Sequence, residues 1–277
     1  MRIFLFWITI IFLFVACSGE KKSDQLKKEI QLKEAVQKDA NQLEVSSKMV
    51  YRVPTPIEFY MFFKNAGGEF NQQKLLAVEN MNKYLSSKEK AIAFGMYASD
   101  LAYSAVYSQS QNTVSYFETG KKLADDLGIT EGYGEDLMNR FKANLNNVDS
   151  LYDLTADSYW NVFNYLEDQD KTILLSYITV AGWIESLYQA FNAIEKYEEN
   201  ELVHCIADQQ YVVENLHAFI NEVHKDKMQE DDVFLMVVDL VKAYELLYYN
   251  DENVVMTEEQ FKSIKEVVVK SRNLLVK

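Results

Sequence analysis

Residues 91–107 read Ala91-Ile92-Ala93-Phe94-Gly95-Met96-Tyr97-Ala98-Ser99-Asp100-Leu101-Ala102-Tyr103-Ser104-Ala105-Val106-Tyr107. A run that is apolar on nearly every side over this length predicts a helix, and one covered by others on most of its surface. Its polar side chains fall on one narrow stripe, Asp100, Ser104, Ser108 and Gln111, at i, i+4, i+8 and i+11. A second stretch, Ile173 to Ile194, has the same character and contains Thr179-Val180-Ala181-Gly182-Trp183-Ile184-Glu185-Ser186-Leu187-Tyr188. Gly182, Glu185, Gln189 and Asn192 form its stripe, and Gly182 allows another backbone to come close. Two central helices, each presenting one carboxylate in an aromatic setting, fix the class as all-α.

Composition carries the same reading to the rest of the chain. The 277 residues are 48% hydrophobic, with only 9 Gly and 2 Pro, and strand-rich folds need more turn residues than that. The spacing predicts about eight to nine helices in one compact array, packed antiparallel or obliquely. They fall near Pro56 to Phe63, Asn71 to Leu85, Lys88 to Phe117, Gly134 to Asn146, Ser150 to Leu166, Lys171 to Tyr197, Glu201 to His224, Asp231 to Tyr249 and Thr257 to Leu275. Start signals recur: Thr55 before Pro56, Ser86 or Ser87 before Glu89, Asp149 or Ser150, and Thr257 with Gln260. Gly120, Gly128, Gly132 and Gly134 predict a loop over 120–134, where the domain would divide if it divides at all.

The amino end reads as a processing signal. Met1 and Arg2 precede an apolar run from Ile3 to Ala16, shorter than a membrane-spanning helix needs, and small residues follow. Phe14-Val15-Ala16-Cys17 is similar to the lipobox of bacterial lipoproteins, with Phe14 where Leu is usual. That resemblance implies cleavage after residue 16, lipidation of Cys17 and attachment to the membrane through the lipid. The expected organisation is a signal peptide over 1–16, the lipidated Cys17 with a charged tether over 17–50, and a helical domain over 51–277.

Lipidation of Cys17 leaves Cys205 as the only other cysteine, so no intramolecular disulfide is expected. Cys205 reads as a buried small hydrophobe. Three histidines, His204, His217 and His224, lie close in sequence but lack the i, i+3 or i, i+4 spacing of metal ligands, and read as solvated. Phosphate-binding, zincin and Cys-x-x-Cys motifs are missing from the sequence, and neither a metal nor another cofactor is expected.

The stripes on the two central helices supply the candidate site. A buried carboxylate costs several kcal/mol without a partner, so Asp100 and Glu185 must meet hydroxyls, cations or a cavity. One expectation is a polar ligand cleft lined by Tyr97, Asp100, Tyr103, Trp183, Glu185 and Tyr188. The other is an internal hydrogen-bond network that fixes helix register. Paired carboxyls are also what a glycosidase-type hydrolase uses, which keeps acid/base chemistry at Asp100 and Glu185 open as an alternative.

The net charge is −14, and loss of residues 1–16 would remove one basic residue, Arg2, and no acid. Without a basic patch, nucleic acid is not an expected partner, and acidity keeps the domain off anionic lipid. The 18 Tyr and 16 Phe belong mostly to the core, with an exposed aromatic surface as the minority reading. The lipobox, the charged spacer, Pro54-Thr55-Pro56-Ile57 and Ala181-Gly182-Trp183-Ile184-Glu185-Ser186-Leu187-Tyr188 together resemble uncharacterised all-helical lipoproteins of Bacteroidota. That resemblance implies an envelope location, on the outer membrane facing periplasm or exterior, and implies no activity. The expected function is a lipid-anchored binding or interaction module with an envelope protein or small molecule as partner; a structural scaffold of an envelope assembly is a further alternative.

Overall fold

Thr55 opens the first helix as its N-cap, and its amide donates to Glu58 Oε2 at 2.8 Å. The computed structural model describes residues 55–130 and 135–277. The leader, Cys17, the tether, and Gly132 and Gly134 of the expected loop lie outside the described residues. Ten α-helices follow one another among those described, with no strand: α1 Pro56–Asn65, α2 Ser87–Val106, α3 Ser110–Leu127, α4 Glu135–Ala143, α5 Val148–Asp168, α6 Thr172–Ala193, α7 Glu201–Ala207, α8 Gln209–Val223, α9 Asp232–Glu245 and α10 Glu258–Leu275. The all-α class read from the sequence is the class observed. No helix of the described residues is long and apolar enough to cross a membrane.

The capping signals explain most of the boundaries. Ser86 and Glu89 close a capping box at α2, with Glu89 N donating to Ser86 Oγ at 3.2 Å and Ser86 N donating to Glu89 Oε2 at 2.8 Å. Thr257 and Gln260 repeat the device at α10. Helix α1 stops where Gly67 takes φ 97°, a left-handed conformation that glycine adopts without steric cost. Helix α5 starts from Asn147, whose side chain accepts from Ser150 N, rather than from Asp149 or Ser150 as expected.

Several expectations need correction, and one is the single helix expected over 201–224, which breaks at Asp208 into α7 and α8. The helix expected over 88–117 breaks after Val106: Ser108 turns left-handed at φ 58°, so Ser108 and Gln111 do not continue the Asp100 stripe. The glycine loop starts later than expected, because Gly120 is inside α3 and Gly128 is its left-handed C-cap. The helix expected over 71–85 is instead two short 3-10 turns, Gln72–Lys74 and Val78–Lys83, with extended chain between them. This strap gives up helical hydrogen bonds because side chains of the central helices take its backbone groups.

Helices α2 and α6 form the centre and pack directly against each other. Ala91 to Val106 of α2 is buried throughout except at Ala98, and α6 is buried from Leu175 to Leu187. They approach so closely at Gly95 that a Cβ there would stand 2.1 Å from Ile178 O, and a Cβ on Gly182 would stand 3.2 Å from Gly95 O. Helices α1, α3, α5, α9 and α10 pack around this pair. Phe63, Phe117, Phe191 and Phe234 are among the fully buried side chains, each contributing about 1.5–3 kcal/mol of apolar burial.

Candidate functional site

Asp100 from α2 and Glu185 from α6 lie at one polar interface, bridged by Gln189 one turn after Glu185. Gln189 Nε2 donates to Asp100 Oδ1 at 3.0 Å and to Glu185 Oε1 at 3.1 Å, and lies 3.0 Å from Lys74 O of the strap. Asp100 Oδ2 accepts from Leu76 N at 2.8 Å. Arg272 of α10 closes the other side, with Nε donating to Glu185 Oε2 at 3.1 Å. Its guanidinium lies over the Tyr188 ring, 4.5 Å from the centroid.

Two buried carboxyls therefore lie near one guanidinium that is itself partly exposed. Burial drives Asp100 well above the usual carboxylate range and the nearby Glu185 adds to the rise, while Leu76 N, Arg272 and Gln189 oppose it. Burial also raises Glu185, and Arg272 holds that rise in check. Glu185 is the carboxyl paired with Arg272, and Asp100 is the one whose charged form burial and its neighbour disfavour together. A primary amide has two hydrogens, and three acceptors compete for them here. Gln189 Oε1 stays without a partner among the described residues.

Tyr97 and Tyr103, expected around a cleft, hold the strap instead, together with Tyr107 and Tyr116. Tyr97 donates to Ala77 O at 2.9 Å, Tyr103 donates to Glu69 O at 2.8 Å and accepts from Asn71 N at 2.9 Å, and Tyr107 donates to Gly68 O. Tyr116 of α3 donates to Leu76 O at 2.9 Å. Backbone groups of residues 68–77 that a helix would have satisfied internally are taken up by these side chains. A hydroxyl chain runs beside them, with Tyr60 and Ser99 2.8 Å apart and Ser99 and Ser186 2.9 Å apart.

Of the six residues expected to line a cleft, Tyr97, Asp100, Tyr103 and Glu185 have no exposure beyond 0%. Tyr188 is half-buried beneath Arg272. Trp183 points elsewhere, packing edge-on against Phe59 at 5.7 Å. It lines a cavity of about 10 Å³ with Pro56, Gly95 and Tyr159, next to one of about 30 Å³ between α2, α5 and α6. Neither cavity is lined by Asp100 or Glu185.

Arg272 is the residue that sequence reasoning missed. The chain has four arginines, Arg2, Arg52, Arg140 and Arg272, against a large majority of lysines. Arginine where lysine is the habitual cation signals a bidentate or stacked site, and Arg272 both pairs and stacks.

The remaining chemistry-bearing groups are structural. His224 is buried, not solvated as expected: its ring stacks on Phe234 at 5.6 Å and burial lowers its pKa. Burial pushes the half-buried Cys205 thiol to about 12, with Asp208 adding to the rise, so it stays protonated and unreactive. Among the described residues no group of three or more His, Cys, Asp or Glu side chains is placed to hold a metal. Comparison with protein-family models, curated proteins and solved structures gives no match.

Proposed function

We propose that this chain is a lipid-anchored envelope protein that works as a binding or interaction module through its surface. The observation that supports it best is the full engagement of Asp100 and Glu185 at zero exposure. Carboxyls that serve acid/base chemistry must reach a substrate, and these two are spent on the strap, on Gln189 and on Arg272. The polar stripes therefore specify the fold, and the parts free to meet other molecules are the outer faces of the helices. The anchor rests on the Phe14-Val15-Ala16-Cys17 resemblance, and attachment by lipid accords with a body whose described helices are not membrane spans.

The test is extraction of the full chain from its native membranes in mild detergent, followed by intact mass and identification of whatever elutes with it. An acylated amino terminus at Cys17 with a stoichiometric protein partner is the expected result. A chain that retains residues 1–16, or that turns over a glycoside and loses this activity in Glu185→Gln, would overturn the reading.

A further inference from the structure

Four large apolar side chains of α8 and the turn after α9 stand in solvent: Tyr211 is 62% exposed, Leu246 46%, Tyr248 58% and Tyr249 85%. Tyr211 is near enough to Tyr248 to add to the rise of its phenol pKa. The turn that carries them is fixed rather than loose. Tyr248 donates to Glu214 of α8 at 2.9 Å, and Gln210 Nε2 donates to the same oxygen at 3.3 Å. Gln260 Nε2 at the start of α10 donates to Leu246 O at 3.0 Å and to Asn250 Oδ1 at 2.7 Å. Aromatic rings held ready at a surface lose little conformational freedom on binding, which is how such residues become binding hot spots.

The charged groups nearest the Tyr248 hydroxyl are acids, in a stretch that lies between Lys242 and Lys262. Glu214 and Glu245 act on the Tyr248 phenol, Asp251 and Glu252 follow the turn, and no Lys, Arg or His occurs from 243 to 261. The exposed parts of the three tyrosines amount to roughly 400 Å², since one such side chain presents about 150–250 Å². That equals about half of the ~800 Å² that each partner contributes to a standard interface. A second copy of this chain would set acid against acid over too little area, and an anionic lipid surface would be repelled.

We infer that this Tyr-and-acid face binds a segment of a partner protein that presents arginine or lysine, with guanidinium or ammonium groups over the tyrosine rings and against the flanking carboxylates. The inference rests on the interaction reading above and names the partner's chemistry.

The test uses the detergent-solubilised full chain and a fluorescent arginine–serine repeat peptide, read by anisotropy. Joint Tyr211→Ala and Tyr249→Ala, both exposed positions, are expected to weaken binding about tenfold, while Asp153→Asn on α5 leaves it unchanged and a glutamate–serine peptide does not bind. No binding of the arginine peptide, or equal losses in all variants, would overturn the inference. Tyr249→Cys in a Cys205→Ala background, carrying a photoreactive maleimide, then reports the native partner. Crosslinked peptides rich in Arg or Lys support the inference. Neutral or acidic ones overturn it and leave the interaction reading standing; no crosslink here or from Asp153→Cys overturns both.

Discussion

Replacing Arg272 by Met removes the cation paired with the buried Glu185 and keeps most of the apolar volume. Glu185 would then be an uncompensated charge at zero exposure, and removing one partner of a buried pair costs about 3–5 kcal/mol. For a domain of this size that is roughly 10 °C in melting temperature. Glu185 escapes part of the cost by taking a proton, so the deficit depends on pH. In the native chain Asp100 has a folded pKa raised above its unfolded value. Its contribution is complete below the unfolded carboxylate value, about 3.9, and is lost as pH rises toward the folded value. One such group gives a slope of about −1.4 kcal/mol per pH unit across that window. In Arg272→Met the Glu185 pKa, already raised by burial, loses the cation that holds it down, so the slope of about twice that value should extend to higher pH, wherever both carboxyls hold protons that the unfolded chain has released. Urea unfolding followed by circular dichroism from pH 4 to pH 8 is the assay. A variant curve parallel to that of the native chain, or a loss below about 1 kcal/mol at pH 7, would refute the pairing of Arg272 with Glu185.

Asp100→Asn should flatten the pH dependence of stability above the unfolded carboxylate range, since it removes a group whose folded pKa is raised; an unchanged slope in the same titration would assign the proton elsewhere. Gly95→Ala should cost well over 3 kcal/mol or prevent folding, because the new methyl meets backbone at 2.1 Å. Gly182→Ala, with 3.2 Å of room, should cost less, and melting temperatures in the reverse order would contradict the crossing geometry. Tyr116→Phe should lose about 1–3 kcal/mol by leaving Leu76 O buried and unpaired, measured by urea midpoint. His224 has a lowered folded pKa, so its contribution is present above about 6.5 and is lost as pH falls through the folded value; His224→Leu should remove that acid-side loss.

The two central helices were legible because no other segment after the leader is apolar on nearly every side over such a length, and Thr55, Ser86 and Thr257 announced their helices by local capping chemistry. The strap over 68–77 was not legible. Its sequence suits a helix as well as the turns it adopts, and what decides is a set of hydroxyls on Tyr97, Tyr103, Tyr107 and Tyr116 that lie at least 20 residues from the groups they satisfy. The break at Ser108 carries neither glycine nor proline and so gave no signal. For the candidate site, the pattern identified Asp100 and Glu185 as the costly groups. Whether they met each other, a ligand or a cation depended on Arg272, 87 residues from Glu185, and on Gln189, whose place in the stripe did not reveal its role as bridge. Trp183 shares a segment with Glu185 but not a face, since positions two apart point to different sides of a helix.

The claim that the carboxyls of the central helices hold the fold, and that the surface does the work, is tested most directly by the stability of Glu185→Gln at pH 7. The account predicts a loss of about 3 kcal/mol or more, from an Arg272 guanidinium left without its anion. Stability equal to that of the native chain would show that Glu185 is kept for a ligand, and would contradict it.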